Sequence, residues 1–178
     1  MPMSMALDMS LAGDHAAVDA LLAAADRAGA AWTVPRAPGK WSPSQVVEHV
    51  ARILEESANV ASGAPSKFPK IPFFVRPIVR ALVFNRTLRK NAFPNKMKAS
   101  AAFDPASGSD PAPGSATPPE AHLRLEGALN RFDQACRARA ASGQNVMSTI
   151  FGAVSVEDFA RFQELHIRHH YLQMPGVA

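Results

Sequence analysis

Phe159-Ala160-Arg161-Phe162-Gln163-Glu164-Leu165-His166-Ile167-Arg168-His169-His170-Tyr171-Leu172-Gln173 reads as one amphipathic helix carrying two histidines four residues apart. Residues at that spacing face the same way, about 40° apart around the axis. With His166 as the zero of a wheel at about 100° per residue, Phe159, Phe162, His170 and Gln173 all fall within about 40° of it. His169 lies about 100° from His170, a neighbour of the pair and not a ligand. Tyr171, about 140° from His166, points away. The helix opens at Ser155, carries Glu157 and Asp158 where they complement the helix dipole, and stops after Met174 at Pro175-Gly176.

A third histidine, His49, stands in a separately announced helix. Ser42-Pro43-Ser44-Gln45 places Ser at the N-cap, Pro at the first helical position and Gln at N3, a capping box. Val46, Val50, Ile53 and Leu54 form the apolar face, and the helix ends near Ser62-Gly63. His49 lies on the core side with Val46 and Ile53. Glu48 points about 100° away, and Glu56 lies about 10 Å along the axis, too far to share a ligand shell with His49. Trp41, just before this helix, reads as a core or staple residue.

The remaining elements are also helical. A first helix is expected from about Asp14 to Gly29, with Val18, Leu21, Leu22 and Ala25 on its apolar stripe. Thr117-Pro118-Pro119-Glu120 is a second capping box, opening a helix with Leu125, Leu129, Phe132 and Cys136 on its buried side and an end near Ser142-Gly143. Phe73 to Leu88 reads as a basic amphipathic helix interrupted at Pro77, and Asp104 to Thr117 as a surface loop. No stretch alternates as a strand does. The expected architecture is all-α: one domain over residues 1–178, a four-helix bundle whose long basic connection (about 64–116) joins the second and third bundle helices.

Two imidazoles on one helix face and a third from another helix can hold one metal ion and leave positions open for water or substrate. Burying three imidazoles without partners is costly, and a metal satisfies all three together. The competing reading is three core histidines satisfied separately. Neutral imidazoles with no sulfur or carboxylate ligand suit Zn²⁺ or Ni²⁺. No catalytic residue is assigned: Cys136 lies on an apolar face, His15 and His122 read as surface residues, and neither a G-x-S-x-G elbow nor a Gly-rich phosphate loop is present.

These residues resemble the DinB superfamily of metal-binding four-helix bundles. Gly39-Lys40-Trp41-Ser42-Pro43-Ser44-Gln45-Val46-Val47-Glu48-His49 is similar to that family's second helix, and His166-Ile167-Arg168-His169-His170-Tyr171-Leu172-Gln173 to its C-terminal HxxxHrgQ motif. The segment from Phe151-Gly152 through Gln173 looks closest to a branch of unknown function. The resemblance implies metal ligation by His49, His166 and His170, and places Gln173 on the family's Gln. Tyr171-Leu172 stands where the family has Arg-Gly, a departure that bears on substrate rather than metal. Better-understood relatives are thiol-dependent transferases and a mycothiol-dependent isomerase. The resemblance therefore implies a metal-activated low-molecular-weight thiol, or water, acting on a small substrate by S-transfer or hydrolysis. A non-catalytic metal- or ligand-binding bundle is the alternative, and a vestigial site the third. A homodimer is expected from the exposed bundle faces and from family habit.

Composition sets the bounds. The chain has 178 residues, 47% of them hydrophobic and 19% charged, enough for a domain with its own core. One cysteine excludes an intrachain disulfide and a cysteine-rich zinc site. A cytoplasmic location is expected, since Met1 to Leu11 lacks a signal-peptide pattern and no run approaches the roughly 20 apolar residues that span a bilayer. The lean towards Ala, Arg and Pro points to a bacterial source.

The net charge of +4 is local: Ser57 to Phe103 contains no Asp or Glu but holds Lys67, Lys70, Arg76, Arg80, Arg86, Arg89, Lys90, Lys96 and Lys98. Three readings are open for this stretch: a solvated insertion packed on the bundle, an entrance for an anionic substrate, or a membrane-surface or nucleic-acid patch. No DNA-reading motif and no stable membrane anchor is found.

Overall fold

The computed structural model describes residues 5–95, 97–106 and 114–177. Lys96 of the basic stretch, residues 107–113 of the expected loop and residues 1–4 of the N-terminus lie outside them. The described chain is mostly helical. Four long helices, α1 (Met5–Asp26), α2 (Pro43–Ser62), α5 (Pro118–Ala141) and α6 (Val156–Tyr171), pack around one hydrophobic core. Between α2 and α5 run the short α3 (Arg76–Val79) and α4 (Asn85–Lys90). The principal contacts pair α2 with α5 and α1 with α6.

The helix boundaries follow local chemistry. Both capping boxes form: Ser42 accepts from the Gln45 amide while the Gln45 side chain accepts from Ser42 N, and Thr117 and Glu120 do the same. Gly63, left-handed at φ 80°, closes α2. The α6 helix is capped by Ser155, which accepts from the Asp158 amide.

The first helix begins at Met5, nine residues before the expected start at Asp14. Leu7 and Leu11 carry the apolar stripe back through Gly13, which is no breaker here. A Cβ at Gly13 would lie 2.4 Å from Glu164 Oε2, so the glycine lets the buried Glu164 carboxylate sit against α1. Glu164 is held there by Arg161 and Arg168.

Two more expectations are corrected. The basic helix is interrupted at Arg80–Phe84, a π-turn between α3 and α4, whereas Pro77 sits in the first turn of α3, where a missing N–H costs nothing. A small antiparallel hairpin, β1 (Val146–Ser148) and β2 (Gly152–Val154), joins α5 to α6. Each strand is three residues long, too short for alternation to be visible in the sequence. Val146 and Val154 pair facing the core, while Met147 and Ala153 pair facing out. Finally, the described ends of the 104–117 loop are tied down. Trp32 Nε1 and Ser44 Oγ both donate to the Ser115 carbonyl, and Gly114 packs so closely on Ser44 that a Cβ would clash with backbone.

The connection is pinned to the helices by phenylalanines. Phe84 is fully buried, with Phe151 and Phe162 each at 5.0 Å between ring centroids. Phe93 packs on Phe162, and Phe103 on Phe68. Burying one phenylalanine stabilises by about 2–3 kcal/mol, so these rings hold the connection against the helices.

One core residue opposes the fold at neutral pH. Asp14 on α1 is fully buried, and neither carboxyl oxygen has a partner among the described residues. Burial, then the nearby Glu164 and Asp133, push its pKa well above the ordinary carboxylate value. A raised folded-state pKa gives stability that is full below the unfolded value, near 4, and is lost as pH rises through the folded one. Asp14→Asn is therefore expected to raise the melting temperature at pH 7.5 by a few degrees, equivalent to about 1 kcal/mol or more, and to lose that advantage near pH 4. A variant that melts lower than the parent at pH 7.5 contradicts this account.

Candidate metal centre

The α2 cap and stripe turn His49 inward, and the α6 stripe does the same for His166 and His170; all three are buried. One nitrogen from each lies within 4.8 Å of the other two, and this is the group of metal-capable side chains that the described residues assemble. Nε2 of His166 stands 3.3 Å from Nε2 of His49 and 3.0 Å from Nε2 of His170. Nitrogens about 2.0–2.1 Å from a tetrahedral ion stand about 3.3 Å apart, so the spacing fits one metal.

The outward nitrogens fix the tautomers. His49 Nδ1 donates to the Phe103 carbonyl at 2.6 Å. His170 Nδ1 donates to Gln173 Oε1 at 3.2 Å, and the Gln173 amide donates to His169 Nε2 at 2.9 Å. With both Nδ1 atoms protonated, the Nε2 lone pairs of His49 and His170 face the shared point. His166 Nδ1 is buried without a partner among the described residues. One proton on His166 Nε2 satisfies a single neighbour, whereas a cation satisfies all three lone pairs.

Burial keeps the triad neutral. It lowers the His49 pKa to about 4, against a smaller opposing pull from the Phe103 carbonyl and Asp104. His166 and His170 are held well below the ordinary histidine value, first by burial and then by the other histidines. Neutral imidazole is the metal-binding form.

Aromatic rings close over the cluster. Trp41 stacks 4.7 Å from His49 and 6.0 Å from His170, and its Nε1 donates to Asp104 Oδ1 at 3.0 Å. Phe93 covers His166 at 5.0 Å and His169 at 5.5 Å. Trp41, expected as a core or staple residue, thus covers the cluster. Phe93, Phe103 and Asp104 went unmarked in the sequence because the connection has no periodicity to assign them to the site.

The other candidates lie apart from the triad. Glu48 turns towards α5, accepting from Arg52 at 2.9 Å and from Arg124. With Glu55 and Lys67 these residues line a charged cavity of about 280 Å³ on the far side of Phe103. Glu56 accepts from the Lys67 amide. His15 pairs with Asp133 and His122 with Asp26. Cys136 is buried in the core, and burial pushes its thiol well up, away from nucleophilic use.

The depressed histidine pKa values predict acid sensitivity. A folded pKa below the unfolded value gives stability that is full above about 6.5 and is lost as pH falls towards about 4. The melting temperature of chelator-treated protein is expected to drop steadily from about pH 6.5 to about pH 5, before most carboxylates titrate. A flat profile over that window contradicts a buried neutral triad.

No curated protein and no solved structure matches the chain. The family model described as a protein of unknown function, DUF1569, matches residues 3–175. With nearly its whole length matched, helices and histidine cluster included, the chain belongs to the DUF1569 family.

Proposed function

We propose that the chain is a DinB-like four-helix bundle that holds one divalent metal ion, Zn²⁺ or Ni²⁺, on His49, His166 and His170. In this reading it is a cytoplasmic metal-dependent enzyme acting on a small substrate by S-transfer or hydrolysis. The observation that carries it is the convergence of three Nε2 atoms, with the His49 ring oriented from behind by the Phe103 carbonyl and the His170 ring by Gln173. The metal would supply Lewis acidity, holding a low-molecular-weight thiol as thiolate or acidifying water. The chain's own part is to fix the imidazoles through Phe103 and Gln173 and to exclude bulk water with Trp41 and Phe93. That the three histidines are each less than a tenth exposed favours the second reading, a closed metal- or ligand-binding protein without turnover.

Protein purified without a histidine tag is expected to carry close to one metal per chain by elemental analysis. His170→Ala should cut metal affinity by at least tenfold, and Gln173→Ala by about 10–100-fold through loss of the group that orients His170. His15→Ala, on the surface, should leave it unchanged. Full metal retention in His170→Ala removes the site assignment. Turnover of an electrophilic substrate with any thiol from a panel separates the enzyme from the binding protein, which shows none.

A further inference from the structure

The connection presents a face that neither the helices nor the metal centre uses. Phe73 is 79% exposed and Phe74 68%, followed along the same side by Ile78 at 59% and Leu82 at 62%. The exposed positions recur at helical spacing, through Phe73-Phe74, Pro77-Ile78, Ala81-Leu82, Asn85-Arg86 and Arg89-Lys90. The opposite side, with Val79, Val83, Phe84 and Leu88, packs on the core. The outer side is therefore an apolar ridge for three turns that becomes basic for two. Burying its inner side already stabilises the segment, so an apolar outer side adds nothing to folding.

The charge along the ridge's own segment is of one sign. Arg86, Arg89 and Lys90 are exposed and make no ion pair among the described residues, and no Asp or Glu occurs between residues 57 and 103. At the foot of the ridge, Arg76 and Arg80 each spend a donor on a backbone carbonyl, of Ile71 and Ala153. Together with Phe73, Pro77 and Phe151 these two guanidiniums line a cavity of about 330 Å³. A guanidinium has five N–H donors in a fixed fork that matches phosphate oxygens, so most of that capacity is unspent.

We propose that this ridge docks the protein on an anionic phospholipid surface. Phe73, Phe74, Ile78 and Leu82 enter the boundary between headgroups and acyl chains, the Arg76–Arg80 niche takes a lipid phosphate, and Arg86, Arg89 and Lys90 lie over the charged headgroups. Side chains this exposed form a projection that enters a soft surface, whereas a site for a partner helix would be a groove. A second copy fits poorly. A two-fold contact over the full length of the ridge lays cations on cations or the apolar half on the basic half, and one confined to the apolar half leaves the basic half unused. No helix among the described residues is long and apolar enough to cross a membrane, so the association is peripheral and reversible.

Co-sedimentation of the full chain with vesicles tests the proposal. Binding is expected to vesicles of phosphatidylcholine with about 30% phosphatidylglycerol, at least tenfold tighter than to pure phosphatidylcholine, and to weaken in high salt. Phe73→Ser with Phe74→Ser should lower the partition at least tenfold, and so should Arg76→Gln with Arg80→Gln. Both pairs are exposed or half-exposed, and an unchanged melting temperature and metal content establish that the variants fold. Ile78→Ser with Leu82→Ser provides an independent pair. Absence of binding to anionic vesicles at low salt overturns the proposal, as does binding that survives loss of both phenylalanines. A dimer in solution that the Phe73→Ser/Phe74→Ser variant dissociates also overturns it, assigning the ridge to a second copy.

Discussion

Three imidazole nitrogens meet at one buried point, and this constraint organises the molecule. A neutral imidazole buried without partners is expensive, and here three are buried together with their acceptor atoms facing each other. The outward nitrogens of His49 and His170 are tethered, and a cation is the proposed partner of the inward ones. The two tethers come from quite different places: a backbone carbonyl at the end of the long connection, and a glutamine one turn past the second α6 histidine. Helix packing alone does not bring α2 and α6 close along their length, since α2 rests mainly on α5 and α6 on α1. The histidine cluster is a principal link between these two helices.

The connection between α2 and α5 gains its purpose from that site. It carries the Phe103 carbonyl behind His49, Phe93 over His166, and the Asp104 carboxylate that holds Trp41 over the rings. Phe84 anchors the whole segment to the core. One continuous stretch of chain thus orients His49, shields the histidine cluster and, on its outer face, exposes the apolar ridge with its basic residues.

Polar burial elsewhere differs in kind. Glu164 is buried but answered by two arginines, and a glycine makes room for it. Glu48 is likewise matched by Arg52 and Arg124. Asp14 is unanswered, and its burial raises its pKa at a cost to stability as pH rises. The Glu48–Arg124 pair ties α2 to α5, while the unpaired Asp14 is a local weakness that the rest of the core outweighs.

The sequence by itself determined the helices and the three histidines. Capping boxes at Ser42 and Thr117, the αL glycine after α2 and the i, i+4 spacing of His166 and His170 are local features, and local chemistry is what a sequence states directly. It also exposed the acid-free basic stretch as a unit. What it could not place were interactions between residues far apart in the chain. Leu7 and Leu11 extend the first helix beyond its expected start at Asp14, and the role of Gly13 within it is set by Glu164, some 150 residues away. The hairpin strands were too short to carry a period. Trp41, Phe93, Phe103 and Asp104 became part of the site only through tertiary structure, since an aperiodic connection carries no signal of where it will fold back. Which histidines point inward was written in the helical repeat; what stands behind and above them was decided by the fold.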